Sequence, residues 1–294
     1  MSYKKEKIHS LNGLNFENIT TPKLQQHSKD VLTNGIHGLC FSPYEEGQQP
    51  GDQLSEEQIR RRLQIIKPYT NWVRSFSCTE GNELIPMIAK ELGFKTLVGA
   101  WLSDDHLTND KEIESLEKLC QQGYVDVASV GNEVLYRDEL TEKELLVYID
   151  KVKANVKNTP IGYVDAYYEF VNRPKLSEAC DVILANCYPF WEACHLDYSL
   201  LYMKEMYKQA IDAGKGKRVI ITETGWPSQG SSLGASHPSY ENALKYFINA
   251  QTWSKEDDIE MFYFSSFDES WKVKAEGDVG AYWGLWDTEE KLKF

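Results

Sequence analysis

KTLVGAWLSDDHLTNDKEIESLEKLCQQGYVDVASV, residues 95–130, holds one complete structural unit and the start of the next. Lys95–Leu102 is a short, almost unbroken apolar run, the pattern of a strand buried on both faces. Asp110–Gln122 reads as a helix stopped by Gly123, and Asp126–Val130 is strand-like again. The same alternation extends upstream. Gly38–Tyr44 is an apolar run ended at Pro43. Ser55 then resembles an N-cap followed by Glu56 and Glu57, with Ile59, Leu63 and Ile66 at helical spacing up to Pro68. Trp72–Ser77 is strand-like, and Gly81–Leu92 is a helix closed by Gly93.

It extends downstream as well. Thr141–Val156 is a helix with Thr141 as cap and Glu144 three residues on. Ile161–Ala166 is a strand, Pro174–Ala179 a short helix, and Asp181–Ala185 a strand. Ser199–Ala213 is helical, Arg218–Thr222 a strand, Ser239–Trp253 a helix and Glu260–Ser266 a strand. Eight such β-type runs, with helices between most of them, are the arithmetic of a single (β/α)8 TIM barrel. An open doubly wound sheet is the structural alternative, but no GxGxxG or GxxxxGK[ST] loop follows the first strand. The expected organisation is an N-terminal extension over residues 1–34, polar and irregular, and one catalytic domain over 35–294. The extension carries one Asn18-Ile19-Thr20 sequon.

Composition narrows the partners. With 32 basic and 45 acidic residues the net charge is −13, unsuited to a phosphate backbone or an anionic membrane surface. No apolar run approaches the ~18 residues that span a bilayer. The start, MSYKKEKIHSLNG, has no apolar leader core, so the chain as written is expected in the cytoplasm, or in the periplasm or cell envelope if a leader has been removed. The six cysteines suggest buried free thiols, and Cys187, Cys194 and His195 do not match a zinc spacing, so no metal and no cofactor are expected. The loop Ser228–Gly234 could cradle a phosphate through its amides, but it contains no basic residue.

In such a barrel the functional residues lie at the C-terminal ends of strands. Those ends carry Arg74 (strand two), Trp101 (three), Asn132 and Glu133 (four), and Asn186 with Tyr188, Phe190 and Trp191 (six). Glu223 and Trp226 follow strand seven, and Glu269, Trp271 and Lys272 follow strand eight. An acidic residue directly after a buried strand is costly unless paired or used. Glu133 and Glu223 therefore face each other across one pocket mouth, the arrangement that glycoside hydrolysis needs. One carboxyl must stay protonated and the other ionised, so their environments must differ. Arg74 and Tyr188 could donate to the ionised member. Trp101, Tyr188, Phe190, Trp191, Trp226 and Trp271 would offer apolar platforms to sugar faces. That gives a specific use to part of an aromatic content of 12%.

Val130-Gly131-Asn132-Glu133-Val134 and Ile221-Thr222-Glu223-Thr224-Gly225-Trp226-Pro227-Ser228 resemble the two signature stretches of glycoside hydrolase family 17, the β-1,3-glucanase family. Asn186–Trp191, Phe267–Lys272 and Tyr282–Trp286 match it in position and order. The resemblance, running from about Gly38 to Trp286, implies a retaining (β/α)8 enzyme with Glu133 as general acid/base and Glu223 as nucleophile. It further implies that Asn132 holds the sugar 2-hydroxyl, that Tyr188 and Arg74 support the nucleophile, and that Glu269 and Lys272 form an auxiliary charged pair. The expected function is hydrolysis of β-1,3-glucosidic bonds in laminarin-like β-glucans or their oligosaccharides. Two alternatives stand beside it: a β-1,3-glucanosyltransferase and a non-catalytic glucan-binding barrel.

Overall fold

The computed structural model describes residues 13–294; residues 1–12 of the expected N-terminal extension lie outside the described residues. The apolar runs form eight parallel strands: β1 (Ile36–Cys40), β2 (Thr70–Ser75), β3 (Lys95–Ala100), β4 (Val127–Asn132), β5 (Ile161–Ala166), β6 (Val182–Asn186), β7 (Arg218–Thr224) and β8 (Met261–Tyr263). They follow one another in sequence order around a closed barrel. β1 completes the ring by pairing with β8, Gly38 opposite Phe262 and Leu39 opposite Tyr263. That closure needs a glycine. A Cβ on residue 38 would stand 2.5 Å from the Phe262 ring.

The outer helices are α1 (Thr21–Thr33), α2 (Glu56–Ile66), α3 (Leu84–Glu91), α4 (His106–Gln121), α5 (Glu142–Asn155), α6 (Tyr167–Asn172), α7 (Pro174–Ala179), α8 (Leu196–Gly214) and α9 (Tyr240–Glu256). Ser55 caps α2 by accepting from the Gln58 N–H, and Thr141 with Glu144 forms the expected reciprocal capping box at the start of α5. Helix α4 begins four residues before the anticipated Asp110 because Asp105 caps it, accepting from the amides of Leu107 and Thr108.

Three departures have physical causes. Residues 21–33 were expected to be irregular but form α1, whose buried face is Leu24, Ser28 and Leu32, one residue per turn. Leu24 packs with Leu244 and Ile248 of α9, and Gln25 donates to the Tyr240 hydroxyl at 2.9 Å. Two leucines and a serine are too sparse a stripe to read without α9 in place. Helix α6 follows β5 with no intervening loop and was not anticipated. Strand β8 ends at Tyr263 rather than Ser266, because beyond it the backbone turns to bond the C-terminal segment, with the Ser265 amide donating to the Trp283 carbonyl at 3.0 Å. All six cysteines are free and five are buried, as small hydrophobes would be. Among the described residues no helix is long and apolar enough to cross a membrane.

The tight β1–β8 seam is testable. Gly38→Ala should keep the fold but lower unfolding stability by about 1–3 kcal/mol in urea titrations, the range for overpacking a filled core. Unchanged stability would mean that the Phe262 ring yields and the seam does not require a glycine.

Candidate active site

Both carboxyls arise where the strand register breaks. The β4–β5 register shifts between Ser129 and Asn132, and Gly131 and Glu133 have φ of 93° and 52°. A non-glycine residue in the left-handed region is uncommon, and here it marks the point where β4 turns away from the barrel wall. The Glu133 amide still donates to the Val164 carbonyl of β5 at 2.8 Å. On the other side of the barrel the β6–β7 register shifts between Ala185 and Asn186, so that Asn186 stands opposite Glu223.

Glu223 is only 5% exposed. Its Oε1 accepts from Arg74 Nη1 at 2.6 Å and its Oε2 from the Tyr188 hydroxyl at 2.9 Å. Arg74 is buried too; its Nη2 donates to Asn132 Oδ1 at 2.6 Å, and its guanidinium lies 4.2 Å from the Phe76 ring centre. Burial works against the Arg74 charge, but the adjacent Glu223 carboxylate outweighs it. Tyr188 is held in the neutral form, its pKa pushed far above the usual tyrosine range by burial and then by the Glu223 charge, so it remains a donor. The bond from Arg74 fixes which end of the Asn132 amide is the oxygen and leaves the NH2 group as the donor that side chain can offer a ligand.

Glu133 sits in a different environment. Its Oε1 accepts from Asn186 Nδ2 at 2.7 Å, and among the described residues no cation pairs with it. Burial pushes its pKa up to about 8, the Glu223 charge adds to the shift, and Asn186 partly opposes it. The pair thus has the required asymmetry: one carboxyl paired with a guanidinium, the other held protonated near neutrality.

Both carboxyls line a cavity of about 570 Å³, together with Asn186, Tyr188 and Trp191 from the expected set. Asn186 was expected to bind substrate; its polar atoms are used inside the protein, Nδ2 on Glu133 and Oδ1 accepting from the Thr222 hydroxyl at 2.8 Å. Phe190 and Trp226, expected as rim platforms, are core residues at 0% and 1% exposure, packed edge to face on each other. Trp226 also packs against Tyr246 of α9. Trp101 is exposed but outside the cavity lining, beside Arg137, and Trp271 turns its edge to Tyr44 and donates to Glu269. Glu269 and Lys272 do pair, at 2.8 Å, but buried behind the cavity wall, with the ammonium 4.0 Å over the Phe264 ring.

The cavity also contains residues that the strand-end reading passed over: Tyr136, Tyr167, Tyr168, Glu192, Phe264 and Glu276. Tyr167 and Phe264 immediately follow β5 and β8, so a complete reading of every strand end would have included them. Burial pushes the Glu276 carboxyl up to about 7, against the pull of Lys272. The Ser228–Gly234 loop is no empty anion cradle, since the Ser231 amide and hydroxyl both donate to Asp278. Among the described residues no group of three His, Cys, Asp or Glu side chains is placed to hold a metal ion.

Comparison with known proteins agrees with the barrel fold. The family model described as the BtgE/BtgC glycoside hydrolase domain matches residues 38–284. A glucan 1,3-beta-glucosidase, BGL2 of Candida albicans, is 29% identical over 258 residues, covering 79% of this chain and 83% of its own. The glucan 1,3-beta-glucosidase of Saccharomyces cerevisiae is 28% identical over 269 residues, covering 83% and 86%. Among solved structures, the glycoside hydrolase family 17 beta-1,3-glucanosyltransferase of Rhizomucor miehei superposes with a TM-score of 0.79 at 29% identity, over 89% of this chain and 96% of that one. With the family model spanning the barrel from β1 to the C-terminal segment, the chain belongs to the BtgE/BtgC glycoside hydrolase domain family.

Proposed function

We propose that this glycoside hydrolase cleaves β-1,3-glucosidic bonds in laminarin-like glucans or their oligosaccharides, with Glu133 as acid/base and Glu223 as nucleophile. The observation that carries the reading is the unequal environment of the two carboxyls in one cavity. The names of the yeast relatives and the family 17 structure supply the glucan and the linkage.

In the first step the Glu223 carboxylate attacks the anomeric carbon. The C1–O bond breaks with its electron pair on the departing oxygen, which takes the Glu133 proton. A covalent α-glycosyl-enzyme results. Forming that ester removes the Glu223 charge, one of the causes that hold the Glu133 pKa up, so Glu133 becomes more acidic once it has to act as a base. Its carboxylate then takes a proton from water, the water oxygen attacks C1, and Glu223 leaves, giving a β-configured product. Asn132, oriented by Arg74 with its NH2 group as donor, suits a sugar hydroxyl oxygen. Trp191 at 40% exposure and Tyr136 at 61% offer ring surface to a neutral glucan.

Transfer to a sugar acceptor is the second reading, favoured by the likeness to the Rhizomucor miehei glucanosyltransferase. Both share the glycosyl-enzyme and differ in what resolves it. Mass spectrometry of products from a pure laminari-oligosaccharide separates them, because only transfer makes chains longer than the starting one.

Three outcomes follow from these assignments. Glu223→Gln should lower kcat on laminarin by roughly 10⁴-fold or more, and near-wild-type activity would remove Glu223 from the role. Proton NMR of early products should show the β-anomer first. The alkaline limb of kcat/KM should fall near the Glu133 pKa of about 8, where the proton donor is lost. The same shift has a stability consequence. The folded carboxyl keeps a proton that the unfolded one, with its ordinary pKa of 4.5, has released, so the wild type loses stability as pH rises from about 4.5 to about 8. Glu133→Gln should flatten that slope and raise Tm at pH 8 by about 5 °C, measured by calorimetry.

A further inference from the structure

The turn that carries Glu133 is fastened to β5 by two residues with no part in the steps above. Tyr163 and Asp165 are two apart on that strand, so their side chains leave the same face. Both are 0% exposed. The Leu135 amide, two residues beyond Glu133, donates to the Tyr163 hydroxyl at 2.9 Å. That hydroxyl donates in turn to Asp165 Oδ2. The same carboxylate oxygen takes a longer contact, 3.4 Å, from the Tyr136 amide, while Oδ1 accepts from the Ala166 amide at 2.7 Å. The turn closes on itself through the Arg137 amide, which donates to the Glu133 carbonyl at 2.9 Å.

We infer that Tyr163 and Asp165 are positioning residues for the proton donor: the hydroxyl fixes the turn that aims Glu133 at the glycosidic oxygen, and the carboxylate orients that hydroxyl. A buried carboxylate held only by hydrogen-bond donors is expensive if its purpose is packing alone, since an apolar side chain of similar shape would fill the space. Here one of its bonds reaches Tyr136 directly and another reaches Leu135 through the Tyr163 hydroxyl, both within three residues of Glu133. A left-handed φ at Glu133 also needs outside support, because an L-residue leaves that region unless its neighbours are held.

Charge acts along the same line. The charged and polar groups acting on Glu133 are Glu223 from β7, Asp165 from β5, Asn186 from β6 and Arg74 from β2. Asp165 is a second negative charge favouring the protonated form of Glu133. Its own carboxyl is pushed up to about 6 by burial, with Glu169 a lesser contributor, so it is ionised on the alkaline side where the Glu133 proton matters.

The inference rests on Glu133 being the proton donor, so Glu133→Ala is the reference for its test. The comparison is kcat/KM on laminaritetraose, whose leaving oxygen needs a proton, against a 2,4-dinitrophenyl β-glucoside, whose leaving group does not. Glu133→Ala should lose far more on the first substrate than on the second. Tyr163→Phe should show the same split in smaller measure, about tenfold or more on laminaritetraose and under about threefold on the aryl glucoside. Asp165→Asn, which keeps an acceptor for Tyr163 but removes the charge, should move the alkaline limb down by about one pH unit. Equal losses of Tyr163→Phe on both substrates, or an unmoved limb in Asp165→Asn, would overturn the inference. If Glu133→Ala itself shows no split, the assignment of the proton donor fails instead. The variants change one atom and one charge and are judged separately by their thermal unfolding. Loss of the fold in both would also overturn a role confined to one turn.

Discussion

The rest of the site depends on the buried ion pair between Arg74 and Glu223. Neither charge can be taken out of water at this depth without the other, and removing one partner of such a pair typically costs about 3–5 kcal/mol. Only a closed barrel brings them together, because Arg74 comes from β2 and Glu223 from β7. The guanidinium also takes Asn132 from β4 and approaches the Thr222 carbonyl at 3.3 Å, so one side chain ties three strand ends into a single floor. Closure at the Gly38–Phe262 seam is therefore a condition for the chemistry as well as for the fold.

Once Arg74 is committed to Glu223, no cation among the described residues pairs with Glu133. It is left with burial and two neighbouring carboxylates, which hold it protonated against the partial opposition of the Asn186 amide. The two roles arise from how one positive charge is distributed between two acids. The register shifts after Ser129 and after Ala185 put each acid where it can feel that difference while opening into the same cavity.

Much of this was legible in the sequence, and the limits have a common form. The eight strands could be read because nearly all their residues are buried on both faces and most of their runs are apolar. The caps at Ser55 and Thr141 could be read because they are local chemistry. Glu133, Glu223, Arg74, Asn132 and Tyr188 could be placed by topology alone, since a strand end fixes which mouth of the barrel a residue occupies. Side-chain direction is a tertiary property and could not. Phe190 and Trp226 hold the right strand ends but turn into the core. Glu276 lies several residues beyond the end of β8, where no strand end marks it, and only the fold-back of that segment carries it to the cavity. Helix α1 shows the same limit, because its stripe of Leu24, Ser28 and Leu32 makes sense only against α9.

The central claim is that the acid paired with Arg74 is the one that bonds to sugar. Incubation with a 2-deoxy-2-fluoro laminaribiosyl fluoride, which forms the glycosyl-enzyme but releases it slowly, followed by peptide mass mapping, tests it most directly. The account predicts a single added glycosyl group on the peptide containing Glu223. A label on the peptide containing Glu133, or turnover without any covalent adduct, would contradict it.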